Sequence, residues 1–304
     1  MVYLSPAVHR LLGFTPEEIS STPGRWLTQI HAEDRARVPR ERAAAVRGGG
    51  EYLLSYRVWN KTRSAARWFE EHGHGLRTSD GRLSGAFGVL SDVTERKEIE
   101  ARLRGSLVDT IAALSRTVEA RDPYTAGHQG QVATLAMAIG RELRLPAITI
   151  EGLEMGGLVH DIGKLSIPVE ILCKPTRLTK AEFNLVKLHP QLGYDIVKDV
   201  DLPWPVADML LQHHERLDGS GYPRGLEADG IRLEAKILAV ADVMDAIIAD
   251  RPYRPGLGVG AAFDEVSRNR ERLYDTAIVD ACIRLRKEGR FRFDHLGTRK
   301  PDAG

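Results

Sequence analysis

The sequence predicts an α+β unit, an antiparallel sheet with helices, followed by an all-α helical bundle, and three observations carry that reading. Between residues 51 and 93 apolar and polar residues alternate around a hairpin-type turn. From Arg121 onward apolar residues recur at helical spacing. Five of the ten histidines fall between positions 128 and 214, each in a short run rich in Gly, Asp or Pro, and a bundle with inward-facing ligands is a common way to build a metal centre.

A chain of 304 residues has room for about two domains, and 42% hydrophobic with 28% charged residues is ordinary for globular protein. The formal net charge of +1 gives no overall attraction for DNA or a membrane surface. Cys173 and Cys282 are far apart and form no C-x-x-C pair, which fits a reducing cytosol. No run of about 20 apolar residues occurs and the first residues lack a signal pattern, so the expected location is cytoplasmic.

Thr15-Pro16-Glu17-Glu18 is a capping-box start with proline at the first helical position. Tyr52, Leu54, Tyr56 and Val58 alternate with Leu53, Ser55 and Arg57, the period of a strand with one face better buried. Ser79-Asp80-Gly81 is a hairpin-type turn, and Leu83 to Val93 reads as a second, glycine-containing strand. This order of helices and then antiparallel sheet, with Tyr3-Leu4-Ser5-Pro6, Leu12-Gly13, Trp26, His31, Asp34-Arg35, Trp68, Asp80-Gly81 and Asp92-Val93-Thr94-Glu95-Arg96-Lys97, resembles a PAS domain over residues 1–96. By that resemblance the chain opens at what would be the second strand, with the first missing, and the unit is a sensory or dimerising module. Its ligand is unknown: His9, His31, His72 and His74 read as surface or packing histidines, the last two alternating on one strand face.

Residues 97–118 are expected to form a connecting helix, with Ile99, Leu103, Leu107, Ile111, Leu114 and Val118 as its apolar stripe. The stripe suits packing on its own domain or a parallel homodimer seam equally well. Helices are then expected over Val132–Leu143, Ile148–His160, Lys180–Val197, Pro205–Glu215, Leu233–Ile248 and Ala261–Arg270. Asp242 falls in the apolar segment 237–246, where a buried carboxylate needs a cation or a full set of donors to stay ionised.

Arg121-Asp122-Pro123-Tyr124-Thr125 with Gly127-His128, then His160-Asp161-Ile162-Gly163-Lys164, then His189-Pro190, then the run from His213 to Pro223, occur in an order and at spacings that resemble the HD-GYP domain, a branch of the HD metal-dependent phosphohydrolases. The resemblance covers about residues 105 to 288. It implies a cyclic di-GMP phosphodiesterase domain over 119–304, with His128, His160, Asp161 and Asp242 on one divalent metal and His189, His213 and His214 on a second, Asp161 bridging. Imidazole and carboxylate ligands without thiolate suit iron, manganese or zinc, with iron or manganese placed ahead of zinc.

Lys164, one turn beyond His160, is placed to offer an ammonium to a phosphate oxygen, and Asp245 to protonate or orient the leaving oxygen or to support a ligand histidine. Arg251 and Arg254 are the implied substrate contacts, with Tyr222 and Gly221 in the loop that would also meet protein partners. Some members add a glutamate four residues before the first ligand histidine; Tyr124 stands there, so two ions rather than three are expected. Two other readings stay open: hydrolysis of another cyclic dinucleotide or nucleotide, and a weakly catalytic receptor that binds the ligand and docks partners.

Overall fold

A computed structural model describes residues 3–22, 24–121, 127–249 and 255–293. Chain contacts divide it into two compact units, Met1–Ser106 and Leu107–Gly304.

In the first unit short helices α1 (Ala7–Leu12), α2 (Pro16–Ser20), α3 (Arg25–Gln29) and α4 (Arg37–Gly48) precede strands β1 (Glu51–Trp59), β2 (Ala66–Arg77) and β3 (Leu83–Asp92). The capping box forms as the sequence predicts: Glu18 N–H donates to Thr15 Oγ1 at 3.2 Å and Thr15 N–H to Glu18 Oε2 at 3.0 Å. The sheet is antiparallel in the order β1-β2-β3. Its central strand is β2, which alternation in the sequence does not delimit.

The reason lies in what β2 turns inward. Phe69 is followed on the buried face by Glu71, Gly73 and Gly75, so a charge and two glycines replace the apolar period. Glu71 is kept buried by the hydroxyls of Tyr52 at 2.9 Å and Tyr56 at 2.6 Å and by the Arg42 guanidinium. Around that network pack Val8, Leu12, Phe14, Trp26, Ile30, Val38, Leu54 and Val58.

Helix α5 (Thr94–Arg121) is continuous across the boundary between the units. The predicted stripe divides: Ile111 and Val118, together with Val108 from outside the stripe, join a core with Met155, Val159, Trp204 and Leu210, whereas Ile99, Leu103, Leu107 and Leu114 stay exposed.

The second unit is helical: α6 (His128–Glu142), α7 (Ala147–Val159), α8 (Val169–Leu172), α9 (Lys180–Val186), α10 (His189–Val197), α11 (Val206–Gln212), α12 (Leu233–Ile248), α13 (Gly258–Arg268) and α14 (Thr276–Lys287). The single helix expected over 180–197 is two, interrupted at Lys187-Leu188, because Pro190 lacks an N–H and is accommodated in the first turn of a new helix. α8 and α14 are additions to the expected set. Val132, Leu135, Ile139, Leu238, Ala241, Val266, Ile278 and Cys282 form its main core, Cys282 as a small buried hydrophobe, whereas Cys173 is half-buried. At Gly157 a Cβ would stand 2.5 Å from Ala133 Cα and 2.9 Å from Ala133 N, so the absence of a side chain lets α6 and α7 approach closely.

Candidate metal centre

Each predicted ligand histidine sits at a helix end. His128 opens α6 behind Gly127, whose φ of +81° is a left-handed conformation that glycine adopts without a steric cost. Glu119 of α5 accepts the N–H groups of Gly127 at 3.0 Å and Gln129 at 3.1 Å, meeting donors that a helix start leaves unpaired. His160 and His213 follow the last turns of α7 and α11, and His189 begins α10. His128, His160, Asp161, His189, His213 and Asp242 are all buried, and His214 is half-buried beside them.

The tautomers follow from the hydrogen bonds. A carbonyl oxygen only accepts, so a ring nitrogen bonded to one carries the proton. His160 Nδ1 donates to Gly157 O at 2.8 Å, His189 Nδ1 to Val186 O at 2.8 Å, and His213 Nδ1 to Leu210 O at 2.7 Å. The three Nε2 atoms are then lone-pair donors to a Lewis acid.

They converge. Nε2 of His189 and Nε2 of His213 lie 3.3 Å apart, two lone pairs facing each other, and Nε2 of His160 is buried with no hydrogen-bond partner. Burial holds both facing rings neutral, pushing His189 down to about 4 and His213 down to about 3. Such an arrangement is costly unless a cation lies between the nitrogens. The donors therefore fit divalent metal on the structure's own geometry.

Ligand atoms within 4.8 Å of one another form three overlapping groups: His128, His160 and Asp242; His189, His213 and His214; and His160, Asp161 and His213. The first gathers three of the four residues that the resemblance puts on one ion, the second the three that it puts on the other, and the third joins the two groups through Asp161. Asp161 is central, its Oδ1 3.3 Å from His189 Nε2 and its Oδ2 3.5 Å from His160 Nε2 and 2.7 Å from Lys164 Nζ. Burial would raise the Asp161 pKa, but Lys164 and then the surrounding histidines outweigh it and hold the carboxyl well below the usual range.

His128 differs from the others. Its Nε2 lies 3.2 Å from Asp242 Oδ1 and its Nδ1 2.5 Å from Asp245 Oδ2. Burial opposes protonation, yet the bonds to Asp242 and Asp245 prevail and raise the imidazole to about 10. Asp245 is fully buried against His128, the support position that the sequence left as one of two roles for it.

Tyr222 stacks on His214 with ring centroids 4.7 Å apart and planes 30° apart. Gly221 carries no side chain because a Cβ there would stand 2.4 Å from Glu215 Cα and 2.4 Å from Arg216 N. Arg251, Arg254 and Tyr124 lie outside the described residues.

Sequence reasoning missed Glu215. It is buried and accepts the N–H of Arg224 at 2.8 Å and of Leu226 at 2.9 Å, which ties the loop carrying Tyr222 to the His213-His214 pair. Its only signal was an acidic residue directly after two ligand-type histidines.

Residues 112–278 match the model of the family described as HD domain. The chain belongs to the HD domain family. Ahead of the HD domain, residues 1–90 match the PAS fold, in keeping with the helices and antiparallel sheet of the first unit. Among curated relatives, the cyclic di-GMP phosphodiesterase response regulator RpfG of Xanthomonas campestris pv. campestris is 38% identical over 193 residues, 63% of this chain and 50% of that protein. A cyclic di-GMP phosphodiesterase of Pseudomonas aeruginosa is 39% identical over 178 residues, 58% of this chain and 43% of that protein. A 3'3'-cGAMP-specific phosphodiesterase of Vibrio cholerae is 36% identical over 178 residues, 59% of this chain and 38% of that protein. This chain thus spans half or less of the length of these relatives. Among the described residues no helix is long and apolar enough to cross a membrane.

Proposed function

We propose that the protein is a metal-dependent phosphodiesterase that hydrolyses cyclic di-GMP to the linear dinucleotide, GMP or both, under the control of its PAS unit in the cytoplasm. The observation that carries this is the convergence of three bare Nε2 atoms, from His160, His189 and His213, on Asp161. The relatives' names support the substrate class. Our domain assignment is a sensory unit over 1–96, a connecting helix over 97–118 and a catalytic unit over 119–304.

In this reading His128, His160, Asp161 and Asp242 hold one ion, and His189, His213 and His214 the other. Two ions, iron or manganese ahead of zinc, would supply hydroxide at neutral pH and a clamp for the phosphodiester oxygens. Lys164, which pairs with Asp161, would offer its ammonium to a phosphate oxygen; Asp245 would hold the His128 ring; Arg251 and Arg254 would contact the dinucleotide. The exposed residues Ile99, Leu103, Leu107 and Leu114 on α5 offer a seam for a homodimer, and the 216–226 loop a surface for protein partners.

The test is turnover of cyclic di-GMP, 3'3'-cGAMP and cyclic di-AMP by anaerobically purified protein reconstituted with iron, manganese or zinc, beside Asp161→Ala. Cyclic di-GMP should be cleaved fastest, and Asp161→Ala should lose activity and bound metal while keeping its helix content. Turnover retained in Asp161→Ala sinks the metal assignment; preference for another cyclic dinucleotide replaces the substrate; binding without turnover in every metal form makes the protein a receptor.

A further inference from the structure

Lys187 lies at the break between α9 and α10, two residues before His189. Its Nζ is 5.0 Å from the centroid of the Phe183 ring and 5.2 Å from that of Tyr222, the ring that stacks on His214. The ammonium therefore stands one ring away from the histidine cluster. Contacts of this kind hold a lysine stem while leaving its N–H donors free to meet an anion.

Lys164 is neutralised by Asp161, but among the described residues no carboxylate lies within ion-pair distance of Lys187. It is also half-buried rather than extended into solvent. Its position is coupled to the loop on the far side of the cluster, because Glu215 pins Arg224 and Leu226 and so fixes Tyr222 beneath it. An uncompensated, partly desolvated cation beside a metal site is suited to a phosphate that the metals themselves do not hold.

A cyclic dinucleotide has two phosphodiesters, and a single dinuclear centre can clamp only one of them. We propose that Lys187 is a specificity-determining residue that receives the second, non-scissile phosphate and so sets the register of the dinucleotide ring over the site. This rests on the phosphodiesterase reading above. It makes Tyr222 the support of the cation and of His214 rather than a platform for a base.

The experiment compares Lys187→Ala and Lys187→Arg with the unaltered chain, measuring kcat, KM and metal content on cyclic di-GMP and on bis(p-nitrophenyl) phosphate, which has one phosphodiester. Calorimetric binding of cyclic di-GMP to the metal-loaded proteins is measured alongside. Loss of one charge-assisted contact should raise KM for cyclic di-GMP about tenfold in Lys187→Ala with kcat and metal content held. Lys187→Arg should recover most of that loss, and the effect on bis(p-nitrophenyl) phosphate should be several-fold smaller. Equal losses on the two substrates, an unaltered KM, or a fall in kcat that follows metal loss each overturn the proposal. If the unaltered chain turns over bis(p-nitrophenyl) phosphate but neither binds nor cleaves any cyclic dinucleotide, the substrate reading and Lys187 fall together; if it cleaves cyclic di-GMP and Lys187→Ala does so equally well, Lys187 falls alone.

Discussion

Replacing Gly163 by alanine tests how the 160–164 motif is seated against α10. The added methyl would stand 2.0 Å from His189 O, 2.6 Å from Gly193 N and 2.9 Å from His189 C. Against an ordinary separation of about 3.5 Å the shortfall at the carbonyl is about 1.5 Å. All three atoms are backbone, so no flexible side chain can turn aside, and either α10 or the 162–166 turn must move. Overpacking in a rigid interior costs about 1–3 kcal/mol, and the backbone contacts put this case near 3 kcal/mol. Since His189 itself takes the blow, its Nε2 shifts away from His213 and from Asp161, and a displacement near 1 Å lowers turnover about 100-fold. Urea unfolding followed by far-ultraviolet circular dichroism, with metal analysis and turnover on the same samples, reads all three effects. An alanine variant with unaltered midpoint, full metal content and full turnover would refute the packing argument.

Two further outcomes follow from single contacts. Asp245→Ala removes the partner of His128 Nδ1 and should weaken metal affinity about 10–100-fold in chelator competition, with little change in helix content; unaltered affinity would return Asp245 to a purely packing role. In the PAS unit, burial would raise the Asp34 pKa, but hydrogen bonds from Arg57 Nε at 2.9 Å and Arg57 N–H at 3.1 Å, with Arg37, hold it below its ordinary value. A carboxyl depressed in the folded state stabilises it fully above the unfolded pKa of about 4 and stops doing so as pH falls through the folded value. Asp34→Asn should therefore flatten the acid limb of that unit's stability curve, read by tryptophan fluorescence, and an unchanged slope would show that Asp34 contributes nothing to it.

The five histidines from His128 to His214 stood out in the sequence as metal-donor types, and the resemblance to the HD-GYP domain grouped them with Asp161 and Asp242. The strand over 66–77 was not delimited, because its inward Glu71 is paired across 29 residues with Arg42 and across 19 and 15 residues with Tyr52 and Tyr56. No local pattern announces such a partner. The break at Lys187-Leu188 escaped for a related reason: the apolar period runs on through it, and only the restart at Pro190 reveals it.

From its residues alone the chain determined two unlike units and a helical bundle rich in metal donors, since these depend on composition and short-range periodicity. Tertiary structure decided which nitrogen of His160, His189 and His213 faces inward, that α5 divides its apolar residues between a core and an exposed stripe, and that Glu215 holds the loop bearing Tyr222. Each of these depends on a backbone group or a packed surface brought near by the fold. A carbonyl three residues behind a histidine selects its tautomer only once a helix has turned it toward the ring.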